Sequence, residues 1–385
     1  MTRKIVLSGT HRAMTAEETW SRIEPLLKGF DITRVADVTH LDHIGIPVMV
    51  AVRPLSETYG TSQGKGTTPL LARISAAMES IELWHAENFD FVQFEATARD
   101  LELPYPMRAL SVPAFKQPLD HVRLGWTHGR TVTGGDPVPL PVQLLRMSFV
   151  GSSFWEPRIF RITSNGLASG NTFVEACLHG IYEVIERHAL AGLNSTGVDS
   201  RVPIDLSTVH DAHLVSLLDK LADAGTQCEV AMIRNDLSIP VFVAFIWSPL
   251  YPLVAAGSGA HMDVTVAMSR AITEAAQTRL TRISTTRDNL PSDYQPPHLL
   301  DPSLSAVTGV PFSEVTEGYG AFHDDLDTEL QEVAGRVERL TGMPPIVADM
   351  STEPDVFSVV RVVCPGLNYR YGNNIPRLIP SEVSA

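Results

Sequence analysis

Residues 164–187 read SNGLASGNTFVEACLHGIYEVIER, a loop with two glycines that leads into an amphipathic helix. The spacing predicts a helix from Thr172 to about Leu193, preceded by a strand at 158–163. Apolar side chains recur at helical spacing along one face of this helix: Val174, Cys177, Leu178, Ile181 and Ile185. At about 100° per residue, three acidic side chains fall within roughly 80° of one another, opposite the apolar face: Glu175, Glu183 and Glu186.

The same outline of strands, a glycine-containing loop and a helix occurs earlier in the chain. Residues 32–42 and 44–54 each have the composition of a strand. Residues 62–82, SQGKGTTPLLARISAAMESIE, supply the loop and the helix. Thr68 is placed to cap this helix and Pro69 occupies its first position, which is a typical helix start.

The outline occurs a third time, with strands predicted at 239–247 and 252–259 and a helix capped by Asp263. A late helix at 325–341 and a strand at 356–365 follow. The other C-terminal segments are predicted as loop or irregular structure: 286–322 and 366–385.

The recurrence predicts a mixed α/β (α+β) fold class. We expect one domain over residues 1–385, which contains three similar structural units at approximately 30–100, 145–200 and 228–290. A C-terminal helix and strand with an irregular tail would occupy 325–385.

The composition excludes several classes of protein. The 385-residue chain has 44 Asp and Glu against 30 Lys and Arg, a net charge of −14, and no Lys/Arg-rich run, so no nucleic-acid partner is expected. Its three cysteines are too far apart for a metal or redox motif and too few for a disulfide framework. No signal-type segment and no apolar run of about 18 residues occurs. We therefore expect a cytoplasmic protein with no membrane partner.

Acid or amide side chains stand three residues apart in each of the three helices. The pairs are Glu79 and Glu82, Glu183 and Glu186, and Glu274 and Gln277. Residues three apart share a helix face, and one such face alone is usually just solvated. Glu175 has a structural alternative, because Thr172 and Glu175 match a capping box. If the three faces converge, however, their carboxylates need counter-charge, which Mg²⁺ can supply while it bridges to phosphate oxygens. The residues thus indicate a Mg²⁺–nucleotide or phosphate site.

Other motifs for nucleotide binding or catalysis do not fit. Residues 60–66 resemble a P-loop, but Tyr59 stands where the first glycine belongs and Gly66 stands where Ser or Thr would hold Mg²⁺. Residues 257–262 lack the third glycine of a dinucleotide fingerprint, and no histidine pair has zinc-enzyme spacing. Three histidines on or beside the acidic helices are interpreted as packing or surface residues: His85, His179 and His188.

Four segments together resemble the YcaO superfamily: TRVADVTHLDHIGIPV (33–48), SQGKGTTPLLARISAAMESIE (62–82), SNGLASGNTFVEACLHGIYEVIER (164–187) and TEAAQTR (273–279). The resemblance extends from about Gly9 to Pro365. It implies the YcaO fold, three similar α/β subdomains with ATP in a cleft between helices, commonly in a homodimer. It also implies an ATP- and Mg²⁺-dependent enzyme that phosphorylates the oxygen of a peptide backbone amide, so that a nucleophile can attack the activated carbon.

The resemblance also implies roles for particular residues. The implied catalytic residues are Glu79, Glu82, Glu183, Glu186 and Arg187, of which the four glutamates would be Mg²⁺ ligands and Arg187 would lie against phosphate. The implied ATP-binding residues are Arg12, Lys65, Ser75, Glu79, Asn171, Glu175, Glu183, Arg187, Gln277 and Arg279. The general base is not identified.

The nucleophile stays open. Azoline-forming members use a Cys, Ser or Thr side chain of the substrate, macroamidine-forming members use the peptide's own amine, and thioamide-forming members use an external sulfur source. Azoline formers often end in Pro-x-Pro-x-Pro, whereas this chain has Pro376-x-x-x-Pro380 near its end. The start GTHRAMTAEETW (9–20) and the stretch VVRVVCPGL (359–367) look more like stand-alone members found beside a TfuA partner.

The leading prediction is therefore backbone thioamidation of a ribosomally synthesised precursor peptide, with a TfuA-like partner protein or sulfur donor. Azoline or macroamidine formation is the alternative within the enzyme class. From another class, a non-catalytic scaffold that docks the peptide stays open.

Overall fold

The computed structural model describes residues 2–89, 92–110, 119–150, 158–193, 200–284, 308–319, 323–369 and 375. The α-helices of this part of the chain are α1 (Ala16–Ile23), α2 (Pro69–Asn88), α3 (Phe173–Gly192), α4 (Ala212–Asp223), α5 (Val264–Ser284), α6 (Phe312–Thr316) and α7 (Leu326–Thr341). The strands are β1 (Ile5–Leu7), β2 (Thr10–Arg12), β3 (Arg34–Asp37), β4 (Val48–Val52), β5 (Thr61–Lys65), β6 (Phe94–Thr97), β7 (Arg123–Thr131), β8 (Val138–Pro141), β9 (Leu167–Gly170), β10 (Arg201–Asp205), β11 (Gln227–Ile233), β12 (Val241–Ser248), β13 (Tyr251–Ala260), β14 (Val310–Pro311), β15 (Ile346–Asp349) and β16 (Ser358–Val363).

The strands form three main sheets and one small hairpin, β1–β2. The first sheet has the order β3-β4-β5 and is antiparallel. The second has the order β6-β7-β15-β16-β9, with β8 also paired to β7. The third has the order β13-β12-β11-β10-β14, in which only the β10–β14 pair is parallel. The mixed helix-and-sheet class predicted from the sequence is confirmed.

Each sheet carries one long helix against its final strand. Helix α2 packs on β4 and β5, α3 packs on β9 and β16, and α5 packs on β12 and β13. In each case the strand just before the helix, β5, β9 or β13, is the terminal strand of its sheet. The three helices therefore occupy equivalent positions in the three sheets, which positions their polar faces for a shared site.

The helix starts follow the local sequence signals. The Thr68 side chain accepts a hydrogen bond from the Leu71 N–H, and the Asp263 side chain accepts one from the Val266 N–H, so both predicted caps are confirmed. Thr172 likewise accepts from the Glu175 N–H at 3.3 Å. These bonds satisfy backbone donors that have no partner within the helix.

Glycines in the terminal strands allow the helices to lie very close. A Cβ at Gly64 would stand 2.0 Å from the backbone nitrogen of Ala76, and a Cβ at Gly257 would stand 2.2 Å from that of Ala275. A larger residue at either position would push the helix off its sheet. The glycines noted before each helix thus serve helix–strand packing in these two units.

The structure corrects the strand predicted at 158–163. Ile159 and Phe160, adjacent in sequence, are both buried, so the segment lacks the alternation of a half-buried strand, and β9 starts only at Leu167. The sheet under α3 also contains β16, which matches the strand predicted at 356–365, and it draws further strands from 94–131 and 346–349, which local patterns did not predict. The boundaries of the three structural units within the domain therefore stay predictions.

The long loop predicted at 286–322 is described only in part, and its described residues contain β14 and α6. Most of the predicted C-terminal tail, including Pro376 and Pro380, lies outside the described residues. Within the described ranges, none of the helices combines the length and the apolar character needed to cross a membrane.

Candidate functional site

A cavity of about 970 Å³ lies between α2, α3 and α5. The N-terminal segment at residues 7–23, together with β5 and β13, contributes further wall. All the predicted site residues except Arg279 line it: Arg12, Lys65, Ser75, Glu79, Glu82, Asn171, Glu175, Glu183, Glu186, Arg187 and Gln277. The structure thus brings the three acid-bearing helix faces together around one space.

Helix α3 provides the largest share of the acidic wall. The Ser258 hydroxyl of β13 donates a 2.6 Å hydrogen bond to the buried Glu186 carboxylate. Glu175 accepts from the Ala13 N–H at 2.8 Å and from the Asn171 amide at 3.2 Å, so its carboxylate is not turned back to cap its own helix. The Arg12 guanidinium stands 3.6 Å from Glu175. These contacts attach the N-terminal segment to the start of α3.

Helix α2 faces α3 across the end of β9. Ser169 in β9 donates a hydrogen bond of 2.5 Å to Glu82. Glu79 and Ser75 lie one and two turns earlier on α2 and line the same space. The first acid pair therefore meets the second at this strand.

Helix α5 closes the cavity on the third side. Glu274 forms an ion pair with Lys65 of β5. The Gln277 amide donates a hydrogen bond of 2.9 Å to the backbone oxygen of Gln63, also in β5. Both residues of the third pair therefore contact the first unit directly.

Three of the carboxyl groups have raised pKa values, chiefly because they are buried. Burial, together with the neighbouring charges of Glu79 and Glu183, raises the pKa of Glu82 to about 8. Burial likewise raises the pKa of Glu183 to about 7, even though Arg187 opposes the shift. The pKa of Glu186 is raised by burial and by the charge of Glu274. A cation bound among these groups would remove the cost of ionising them.

Glu274 differs from the other three acids. Burial alone would raise its pKa, but the charge and hydrogen bond of Lys65 hold the pKa of Glu274 below its ordinary value. Glu274 is thus ionised and already compensated within the chain.

Two arginines bring cationic donors to the same cavity. Arg187 stands 3.9 Å from Glu183, and Arg270 stands 3.5 Å from the His179 ring. The Nε atoms of Arg187 and Arg270 are both buried, and neither has a hydrogen-bond partner among the residues that the structure describes. Because a buried unpaired donor is costly, these groups are suited to receive an anion such as a phosphate.

The carboxylate oxygens that line the cavity are the type of ligand that Mg²⁺ prefers, although they do not form a preassembled metal site. Across the described ranges, no group of three or more His, Cys, Asp or Glu side chains is already arranged to hold a metal ion. Mg²⁺ typically takes one or two carboxylates and completes its shell with water and substrate phosphates. Carboxylates with raised pKa values next to unpaired arginine donors therefore fit an ion that arrives together with a phosphorylated ligand.

Arg279 does not reach the cavity. Its side chain is 1% exposed, and its Nε donates to Asp42 at 2.7 Å while Nη2 donates to Ser248 at 3.1 Å. Because Arg279 lies two residues after Gln277, it projects from a different face of α5. Its observed contacts link α5 to the segment between β3 and β4 and to β12.

Local sequence reasoning missed several residues of the cavity wall. Arg270 lies four residues before Glu274 on α5, so helical spacing could have identified it. His179, interpreted from the sequence as a packing or surface residue, lies midway between Glu175 and Glu183 on α3 and lines the cavity. Burial and the nearby charges of Arg270 and Arg12 lower the pKa of His179 well below its ordinary value. His179 is therefore a neutral imidazole inside the site.

A family model described as "YcaO cyclodehydratase", ATP- and Mg²⁺-binding, matches residues 63–368. The match covers most of the chain, and the protein belongs to the YcaO family. ATP and Mg²⁺ are the cofactors bound in this family, as the sequence resemblance implied.

Relatives in bacteria support this membership. An uncharacterized protein of Mycobacterium tuberculosis strain H37Rv is 41% identical over 287 residues, which are 74% of this chain and 65% of the relative. The chain therefore spans about 65% of the length of that relative. An uncharacterized protein in the tfuA 3′ region of Rhizobium leguminosarum bv. trifolii is 35% identical over 391 residues, 92% of this chain and 88% of the relative.

Solved structures share the fold. YcaO from Methanopyrus kandleri, bound with AMPPCP and Mg²⁺, superposes with a TM-score of 0.76 at 21% identity, covering 98% of this chain and 100% of that one. A heterocyclase in complex with substrate and cofactor gives a TM-score of 0.73 at 21% identity, covering 96% of this chain and 55% of that one. At this identity the likeness establishes the architecture.

Proposed function

We propose that this chain uses Mg²⁺–ATP to phosphorylate the oxygen of a peptide backbone amide, which prepares the amide carbon for attack by a nucleophile. The observation that carries the proposal is the cavity itself. It combines Glu82, Glu183 and Glu186, whose pKa values are raised, with the unpaired Nε donors of Arg187 and Arg270. This is the charge pattern that a metal–triphosphate ligand complements.

The residues of the chain act by positioning and by electrostatics. ATP, when bound with Mg²⁺, supplies the phosphoryl group. Glu79, Glu82, Glu183 and Glu186 would hold the metal, while Arg187 and Arg270 would face the phosphates. An amide oxygen is a weak nucleophile, so stabilising the charge on the transferring group supplies most of the rate, and no side-chain nucleophile is needed.

Backbone thioamidation is the product that we propose first. The relative in the tfuA 3′ region, which aligns over 92% of this chain, supports a TfuA-type partner. Azoline and macroamidine formation are the alternatives, since both pass through the same activated amide. The proposed partners are a ribosomally synthesised precursor peptide and a TfuA-like protein or sulfur donor. We also propose a homodimer, which light scattering tests directly.

Nucleotide binding is tested first by thermal unfolding with and without Mg²⁺–ATP. Ligand at about 100 times its dissociation constant adds roughly 2.7 kcal/mol to the folded state. We expect the wild type to be stabilised and Glu186→Gln to lose the effect. Glu338→Gln is the matched control, because Glu338 is exposed on α7 and outside the cavity. Equal stabilisation of wild type and Glu186→Gln would place the nucleotide elsewhere.

The product is tested by mass spectrometry of a precursor peptide co-expressed with this chain and a TfuA-like protein. Thioamidation exchanges one oxygen for sulfur, whereas azoline or macroamidine formation removes one water. An exchange that requires intact Glu186 supports thioamidation. Loss of water instead supports the alternatives, and an unmodified peptide from a chain that binds no ATP indicates a docking scaffold.

A further inference from the structure

His213, at the start of α4, bridges two serine hydroxyls of the cavity wall. Its Nδ1 lies 2.8 Å from the Ser8 hydroxyl, and its Nε2 lies 2.8 Å from the Ser269 hydroxyl. Both serines line the cavity, Ser8 in the turn between β1 and β2 and Ser269 on α5. An imidazole with both nitrogens fixed by hydroxyl groups has the geometry used to activate an alcohol.

The turn that carries Ser8 is held tightly in place. The Thr67 hydroxyl donates a 2.9 Å hydrogen bond to the backbone oxygen of Ser8. Gly9 packs so closely that a Cβ there would stand 2.6 Å from the Ser269 hydroxyl and 2.7 Å from His213 Nε2. The two hydrogen bonds of His213 are therefore set by the fold.

The two hydroxyls differ in their access to the cavity. Ser8 is exposed at its rim, whereas Ser269 is 1% exposed. A neutral imidazole has one N–H and one acceptor nitrogen. When Nε2–H donates to Ser269, Nδ1 accepts from Ser8, so the buried serine orients the ring and the rim serine gives up its proton.

We propose that Ser8 is the proton-accepting residue of the site and that His213 and Ser269 position and activate it. The inference rests on the proposed function, in which every candidate nucleophile carries a proton that must leave. As the nucleophile bonds to the activated carbon, its S–H, O–H or N–H bond breaks and the proton passes to the Ser8 oxygen. The Ser8 proton moves to His213 Nδ1, and the electron pair of the broken bond forms the new bond to carbon while the π pair of the activated C=N bond moves to the amide nitrogen. When that pair returns to carbon, the C–O bond breaks and phosphate leaves.

The position of the pair suits this role. Ser269 lies five residues before Glu274 on α5, which is a rise of roughly 7.5 Å along the helix. Glu274 contacts Lys65, and Lys65 is two residues from the Thr67 that holds Ser8. The Ser8 hydroxyl therefore lines the same cavity as the acidic side chains, and it is not among their proposed metal ligands.

The electrostatic surroundings keep His213 able to accept a proton. Burial lowers the pKa of His213, the charge of Asp211 opposes this shift, and Lys220 adds to it. The ring is accordingly neutral at physiological pH. Because His213 acts through Ser8, it is a positioning residue, and its test needs a readout that a purely structural contact would not change.

Diisopropyl fluorophosphate provides that readout without any peptide. The Ser8 oxygen attacks phosphorus, the P–F bond breaks, fluoride leaves, and the Ser8 proton goes to His213. Peptide mapping should find Ser8 labelled in the wild type. We expect His213→Gln to lower the labelling rate by roughly 100-fold or more, the range of general base catalysis. His210→Gln, an exposed neighbour just before α4, should keep the wild-type rate.

The rate at which diisopropyl fluorophosphate labels Ser8 in the wild type should also rise with pH as His213 loses its proton. This rise should be absent in His213→Gln. The inference would be overturned if Ser8 of the wild type were labelled no faster than an ordinary serine. It would also be overturned if the wild type and His213→Gln were labelled at the same rate. A loss of both labelling and Mg²⁺–ATP binding in His213→Gln would also overturn the inference, because it would show that His213 only holds the β1–β2 turn in place. A labelled wild type that binds no nucleotide would instead overturn the proposed function and, with it, the role of Ser8 in that reaction, while the activation of Ser8 by His213 would stand.

Discussion

Lys65 in β5 and Glu274 in α5 form an ion pair across the cavity, although both belong to helix units that are far apart in the sequence. The pair joins the first and third units at one wall of the cavity. It also explains why the pKa of Glu274 is lowered whereas the pKa values of Glu82, Glu183 and Glu186 are raised.

Replacing Lys65 by methionine should weaken Mg²⁺–ATP binding by roughly 10- to 100-fold, because a hydrogen bond from a charged group to phosphate contributes about 1.5–3 kcal/mol. The free energy of unfolding should change by less than about 1 kcal/mol, since the side chains of Lys65 and Glu274 are 17% and 30% exposed to solvent. Isothermal titration measures the affinity. Glu274→Gln is the control, because it frees the Lys65 ammonium and should keep or raise the affinity. Equal weakening by both substitutions would mean that the ion pair only shapes the wall.

The raised pKa of Glu82 predicts how stability depends on pH without nucleotide. Its folded-state value of about 8 exceeds its ordinary value of 4.5, so between these values the folded chain binds more protons than the unfolded chain. Stability should therefore fall as pH rises through this window, by at most about 1.4 kcal/mol per pH unit for one carboxyl. Urea unfolding at about pH 6 and about pH 8 measures the slope. Glu82→Gln should flatten it, and an unchanged slope would contradict the assignment.

Mg²⁺–ATP binding should release protons near pH 7, because a metal ligand must be ionised while Glu82 and Glu183 are substantially protonated without the metal. Titration calorimetry in two buffers with different ionisation enthalpies counts these protons. Glu82→Gln should lower the count, whereas the exposed Glu338→Gln should not. Binding with no proton release in the wild type would show that these two groups are already ionised.

Arg279→Met should lower the free energy of unfolding by up to about 3–5 kcal/mol, because the buried Asp42 carboxylate loses its arginine partner and keeps only His43, at 3.0 Å. The remaining folded protein should bind Mg²⁺–ATP with wild-type affinity, since Arg279 is outside the cavity wall. Adding Asp42→Leu should recover part of the lost stability. A specific loss of nucleotide affinity at full stability would restore Arg279 to the binding site.

Local sequence patterns predicted the parts of the fold that depend on near neighbours. The caps at Thr68 and Asp263 and the apolar stripe of α3 are set within a few residues, and the structure reproduces them. The sheet beneath α3 could not be predicted this way. It pairs β9 with β16 and β15 with β7, and such distant pairing leaves no periodic signal in either segment.

The same limit applies to the site. Acid pairs three residues apart marked the correct helix faces because a helix has a fixed period. Helical position also separates Arg270, which faces the cavity, from Arg279, which does not. The contribution of His213 depends on the β1–β2 hairpin and the helices α4 and α5 meeting in space, and residues 8, 213 and 269 share no local pattern.

Gly64→Ala tests whether the close helix–strand contact sets the geometry of the site. The new methyl group would meet the backbone of Ala76 at 2.0 Å and of Ala72 at 2.2 Å, so α2 must shift. We expect a loss of about 1–3 kcal/mol or more in denaturant unfolding, as for other overpacked cores. Because α2 carries Glu79 and Glu82, Mg²⁺–ATP binding should weaken as well.

Gly29→Ala is the matched control, since nothing lies within 4 Å of its Cβ position, and it should leave stability unchanged or raise it by up to about 1 kcal/mol. Equal stability of the two variants would mean that the helix can move without cost.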